Sequence, residues 1–382
     1  MPENDQSRAE QDLPPRSQLV ASFFDYLNAE CVNYAVMNNY GDLPWKIPSD
    51  VDFTIPAELF ARLDHFILDF AGSHDALVVQ KFWHGNQKCA YILSAGPEGA
   101  REFVQLDFFV AFSTKGCPAL LTHEELIADQ SQLRNFSIPN PAVELLFVAL
   151  RRLFKDDWSE RHCARIAELR RQITRDDWLP HRYDWLQETL EAAVHGDLTK
   201  VHHRRPSDWA KLRHNARANM SLLERLANAA LQTKRIAVRL RDETGQIAVV
   251  AGPTELVTNP SMEILEQVFH RRMHLDDATL VSQGIMSRIR LPAKLALLKR
   301  RKGLVFLHVS PHQRLSQTLA HCLVRLRLVD QQLEVAAKPV PIALKTPTYI
   351  IASTNDVVEA IVTLQAEKTS RAIANGSTQT SR

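Results

Sequence analysis

The chain has 382 residues, 45% of them hydrophobic and 24% charged, enough apolar side chain for two or three ordinary cores. A formal charge of +2 argues against nucleic acid as a partner, and no continuous apolar run reaches the roughly 20 residues that span a bilayer. The opening Met1-Pro2-Glu3-Asn4-Asp5-Gln6-Ser7 is polar and acidic rather than basic then apolar, which excludes a secretory signal. Cys31, Cys89, Cys117, Cys163 and Cys322 are dispersed with no Cys-x-x-Cys pair, as expected for free thiols in a reducing cytoplasm.

Residues 1–16 read as a disordered arm. Ser17 then caps a helix to about Glu30, with Leu19, Val20, Phe23, Phe24 and Leu27 on one side. A short strand, Val32 to Met37, ends in the polar turn Asn38-Asn39-Tyr40-Gly41, and a proline-containing loop leads to Ser49. In Ser49-Asp50-Val51-Asp52-Phe53-Thr54-Ile55, strand alternation puts Asp50 and Asp52 on one face and Val51, Phe53 and Ile55 on the other. Like charges that close are costly to desolvate, so a cation shared by both carboxylates explains them. The alternative is a solvated strand end where one acid caps the helix opening at Pro56. Gly96-Pro97-Glu98-Gly99 is a turn between two strands. In the second, Glu102 to Val110, Asp107 interrupts an apolar run, which is disfavoured unless something positive lies opposite. Lys88 reads as an exposed lysine on an edge strand, with phosphate contact the sharper alternative.

From Asn140-Pro141 to about Arg239 helical periodicity dominates, with Leu145, Leu146, Val148, Ala149 and Leu153 in one stripe. His195 and His202-His203-Arg204-Arg205 have no acid or cysteine at ligand spacing and read as a solvated basic loop before Pro206. Gln246 to Ala251 is a buried strand ending at Gly252-Pro253, with a helix expected from Ser261. A phosphate-binding loop there would need Gly at Val257, Lys at Thr258 and a hydroxyl at Asn259, so ordinary ATP binding is not expected. The basic amphipathic run Ser287 to Lys302 suits an anionic membrane surface or a surface helix with a basic end.

Tyr34-Ala35-Val36-Met37-Asn38-Asn39-Tyr40, then Leu43-Pro44 and Ser49-Asp50-Val51-Asp52, with the later Asp107, resembles the polymerase-β-like nucleotidyltransferases, in particular those encoded among bacterial polysaccharide-biosynthesis genes. Gly303 to Val309 and Thr348 to Ser353 resemble strands of the thymidylate-kinase-like domain that some such proteins have. The resemblance implies an α/β (α+β) chain. A nucleotidyltransferase-like mixed sheet would occupy 17–139, a helical segment 140–240 and a degenerate P-loop-kinase-like α/β domain 246–368; the polar residues 369–382 read as a disordered tail. It further implies Mg²⁺ held by Asp50, Asp52 and Asp107. A nucleoside triphosphate would sit near Asn38, Asn39 and Ser49, and a small, sugar-linked molecule would serve as acceptor. The family's turn carries Gly-Ser, or Arg-Asn-Tyr in this subgroup, where this chain has Asn38-Asn39-Tyr40. The competing expectation is a catalytically inactive cytoplasmic scaffold or regulator of polysaccharide assembly, in contact with partner proteins or a membrane surface. Relief of repulsion among crowded acids predicts that Asp52→Asn keeps or raises metal-free stability.

Overall fold

The computed structural model describes residues 13–37, 39–114, 117–218, 220–241, 246–251, 260–269, 271–276, 303–309, 324–328, 348–351 and 354–380. The chain divides into two compact units. One comprises Met1–Phe70, Trp83–Ala90 and Gln105–Arg235, the other Ala71–Phe82, Tyr91–Val104 and Ile236–Arg382.

Helix α1 (Pro15–Ala29) starts with proline at its first position, where the missing N–H has no helical partner to lose, and buries Leu19, Val20, Phe23, Phe24 and Leu27. Strands β1 (Ala35–Met37) and β2 (Val51–Thr54) follow, then helices α2 (Ala57–Ala61) and α3 (Leu63–Ser73) and strands β3 (Leu77–Gly85), β4 (Lys88–Ala95) and β5 (Glu102–Phe109). They form a five-stranded sheet in the order β1-β2-β5-β4-β3. It is mixed, since β1 pairs β2 antiparallel and β2 pairs β5 parallel. Phe53 of β2 and Phe108 of β5 stack at 5.2 Å and meet Phe23 of α1 edge-on at 5.4 and 5.9 Å. This aromatic cluster fills one face of the two strands, and alternation assigns the opposite face to Asp52 and Asp107.

Strands β6 (Ala111–Thr114) and β7 (Cys117–Thr122) pair antiparallel, helix α4 (His123–Ile127) follows, and β8 (Ser131–Leu133) pairs with β9 (Phe136–Ile138). Helix α5 (Pro141–Lys155) is set by Asn140, whose side-chain oxygen accepts from the Ala142 N–H at 2.9 Å, with proline again at the first turn. The expected stripe of Leu145, Leu146, Val148, Ala149 and Leu153 is buried. Helices α6 (Glu160–Gln172), α7 (Gln187–Val194), α8 (Leu198–Ala218) and α9 (Leu222–Arg241) continue the helical segment. His202 to Arg205 correct the sequence reading, because they lie within α8 rather than in a loop. Two of them are drawn to acids: Arg204 reaches Glu188 at 2.5 Å and Arg205 reaches Asp156 at 3.2 Å.

In the second unit, strands β10 (Gln246–Ala251), β11 (Arg271–Asp276), β12 (Gly303–Val309), β13 (Val324–Leu328) and β14 (Thr348–Ile351) form a sheet in the order β11-β12-β10-β13-β14. Every pairing in it is parallel, as in α/β domains whose sheet faces are covered by crossover helices. A 3-10 helix (Pro260–Gln267) stands where a helix was expected from Ser261. The glycine loop with Val257, Thr258 and Asn259, and the basic run Ser287 to Lys302, lie outside the described residues. The last helix, α10 (Thr354–Thr380), runs through the point where a disordered tail was expected to begin. Tertiary contacts hold it there: the Thr369 hydroxyl donates to the Val79 carbonyl at 2.7 Å, and Ile373 is buried. Further up the helix, Arg101 donates to both Glu359 carboxylate oxygens, at 2.8 and 3.1 Å.

Candidate metal centre

The parallel pairing of β2 with β5 sets Asp52 directly beside Asp107 in register, and Met37 of β1 faces Asp52 from the other side. Asp50 precedes Asp52 by two residues, so its side chain leaves the same face. Ligand oxygens of Asp50, Asp52 and Asp107 consequently lie within 4.8 Å of one another. Asp52 and Asp107 are only 5% and 6% exposed, so water does little to screen their repulsion.

Two cations answer these three acids. Arg151 of α5 donates to Asp52 Oδ2 at 2.5 Å, and Lys88 of β4 stands 3.4 Å from Asp107 Oδ2. Gln105 donates to Asp107 Oδ1 at 2.7 Å, and the Ser49 hydroxyl donates to Asp50 Oδ1 at 2.7 Å. Burial pushes the Asp107 carboxyl above the ordinary carboxylate range. Lys88 and Gln105 oppose the rise, while Asp52 and Asp50 add to it. For Arg151 burial works toward a lower value, but the charge and hydrogen bond of Asp52, with Asp50 and Asp107 behind it, outweigh burial and raise it.

Only two cations stand in contact with the three acids, and a bound cation would relieve the repulsion that remains. Carboxylate oxygens are the donors that hard divalent ions such as Mg²⁺ and Mn²⁺ take. The donor set and its electrostatics fit such an ion.

Lys88 corrects the edge-strand reading, since β4 is an inner strand and its ammonium faces Asp107. Arg151 was not found from the sequence. A signal existed, for Arg151 and Arg152 interrupt an apolar helix that buries both its neighbours Leu150 and Leu153, and a cation so placed asks for an acid elsewhere.

Of the other expected contacts, Asn38 lies outside the described residues. Asn39 is exposed, holds a left-handed φ of 54° and accepts from Arg161 Nη2 at 3.3 Å, the behaviour of a turn residue. Tyr40 is drawn inward instead. Its hydroxyl donates to Glu144 Oε2, and Arg165 donates to Glu144 Oε1 at 2.7 Å and to the Tyr40 oxygen at 3.1 Å. Burial, followed by the Glu144 carboxylate, raises the Tyr40 hydroxyl well above its ordinary value, so it stays a donor. Glu144 is 0% exposed. Glu144→Gln should therefore cost about 2 kcal/mol, because Arg165 loses its buried counter-charge and Tyr40 its acceptor carboxylate. Urea denaturation measures the loss, and an unchanged midpoint would show that the cluster does not hold the turn.

Among the described residues no helix is long and apolar enough to cross a membrane. No protein-family model and no curated protein matches the chain. Among solved structures, a candidate nucleotidyltransferase from H. pylori is matched over 61% of this chain and 99% of its own, at 8% identity and a TM-score of 0.26.

Proposed function

We propose that the protein is a divalent-metal-dependent nucleotidyltransferase, moving a nucleotidyl group from a nucleoside triphosphate to a hydroxyl or phosphate oxygen of a small acceptor. The observation that carries this reading is the convergence of Asp50, Asp52 and Asp107, whose ligand oxygens lie within 4.8 Å of one another where β2, with the residue just before it, pairs with β5. The order of strand, turn, Asp-x-Asp strand and single-Asp strand supports it, as does the resemblance of Tyr34 to Asp52 to polymerase-β-like enzymes. Asp50, Asp52 and Asp107 would hold the metal, Mg²⁺ in the first instance. When bound, such ions orient in-line displacement and offset charge on the attacking and leaving oxygens. Asp107, whose carboxyl burial pushes above the ordinary carboxylate range, is the residue to place beside the acceptor oxygen, since a carboxylate with a raised pKa can take its proton. Lys88, 3.4 Å from Asp107 Oδ2, is 39% exposed at its side chain, so that its ammonium can also meet a phosphate.

The sugar-linked acceptor, the polysaccharide setting and the cytoplasmic location rest on the sequence resemblance and composition alone. The reading of 246–368 as a kinase-like domain draws support from its parallel sheet with β10, the first strand, at the centre. The scaffold alternative has one observation in its favour: Arg151 and Lys88 already occupy two of the acids.

Thermal melts of the full chain with each nucleoside triphosphate, with and without Mg²⁺, separate the two. The enzyme reading expects a rise of several degrees with one Mg²⁺-nucleotide pair, since about 2.7 kcal/mol is gained at a hundredfold excess over Kd. No rise with any pair would favour the scaffold.

A further inference from the structure

We propose that the corner between α8 and α9 is a docking surface for an anionic membrane, with leucines of α9 entering the acyl boundary and surrounding cations meeting lipid phosphates. The proposal is independent of the metal centre and of the activity assigned to it.

Leu222, Leu223 and Leu226 are 72%, 78% and 59% exposed, standing with Trp45 as the exposed large hydrophobic side chains among the described residues. A capping box fixes where their helix begins. The Ser221 N–H donates to Glu224 Oε2 at 2.7 Å, and the Glu224 N–H donates to the Ser221 hydroxyl at 3.3 Å. With the start fixed, Leu222 and Leu226 are one turn apart on the same side and Leu223 lies beside them, continued by the exposed Ala227 and Ala230. Beyond this stripe, Lys234 lies over the Trp83 ring at 5.7 Å, so the helix is tied down further along while its first turns stay open.

The same corner is cationic. Arg213, His214, Arg217 and Arg225, with Ala210 and Ala218, line a cleft of about 430 Å³. Arg225 Nη2 donates to the Arg217 carbonyl at 2.8 Å, holding this guanidinium at the end of α8. From Lys211 to Leu226 there are four cations and one acid, and that acid, Glu224, is engaged in the capping box.

Exposed leucines on the same helix corner as a cluster of cations match a bilayer carrying anionic lipid, where apolar burial and phosphate attraction act together. A second copy of this chain fits poorly, because a twofold contact would bring the same arginines face to face. A spanning role is excluded for α9, since no described helix is apolar enough.

Flotation of the full-length protein with phosphatidylcholine vesicles, with and without phosphatidylglycerol, tests this. Binding should require phosphatidylglycerol and fall steeply with added salt. Leu222→Ser/Leu223→Ser/Leu226→Ser should lower partitioning about tenfold. Arg213→Gln/Arg217→Gln/Arg225→Gln should lower it by about fivefold for each charge removed and flatten the salt dependence. These side chains are exposed, so melting should match wild type, and Leu223→Ser alone serves if the triple change disturbs folding. Three results would overturn the proposal: no preference for phosphatidylglycerol, undiminished binding by the leucine variants, or a concentration-dependent dimer lost on leucine substitution without vesicle binding.

Discussion

Asp107→Asn is expected to raise the stability of the metal-free protein while lowering its divalent-ion affinity on the order of a hundredfold or more. The sign follows from burial. A carboxyl held above its ordinary value in the folded state binds protons more tightly there than in the unfolded chain. Stability is then lost as pH rises from the unfolded value through the folded one, and it stays lost at neutral pH. An amide removes that loss. It still accepts the hydrogen bond from Gln105, and the half-exposed Lys88 can return to water. The gain should be about 1 kcal/mol near neutral pH, or roughly 2–4 °C for a unit of this size, and should vanish in acid. Melts across pH 4–7 with and without Mn²⁺ measure both effects. Unchanged Mn²⁺ affinity in Asp107→Asn would remove this acid from the metal site.

Arg151→Gln should act in the opposite sense, costing the metal-free protein about 3 kcal/mol, because Asp52 is left buried beside Asp107 without the guanidinium bonded to it. Divalent ions should bind the variant more tightly than wild type, since they no longer compete with a guanidinium for Asp52. Asp52→Asn, which relief of repulsion alone predicts to be neutral or stabilising, should instead destabilise, because it strips Arg151 of the carboxylate 2.5 Å away. Chemical denaturation of Arg151→Gln, Asp52→Asn and the double variant measures the coupling, and Mn²⁺ titration by electron spin resonance reads the metal affinity. Equal Mn²⁺ affinity in wild type and Arg151→Gln would make Arg151 a structural partner only.

These two predictions differ in what the sequence could supply. Asp107 stood out as an acid in an apolar strand, and its company could be guessed. Arg151 stood out less, because an arginine on a helix is ordinarily a solvated residue and nothing local says which strand the helix will cover. The same holds for Tyr40, a turn residue in the sequence, and Glu144, 104 residues on, which meet in one buried cluster with Arg165. His202 to Arg205 read as a loop because Pro206 follows, yet neighbouring acids and the packing of Val201 and Leu212 keep α8 continuous through the proline.

The sequence by itself determined the faces. Period-two alternation put Asp50 with Asp52 and sent Phe53 toward the core, and period-3.6 stripes fixed α1 and α5, because side-chain direction within one element follows from backbone geometry alone. Only the tertiary structure decided the register that sets Asp52 against Asp107, and the approach of Arg151 and Lys88 to those acids. It likewise decided the continuation of α10 past Thr369 onto Val79. Register and long-range pairing depend on which surfaces bury each other, and burial is what turns a charge from a solvated group into one that must find a partner.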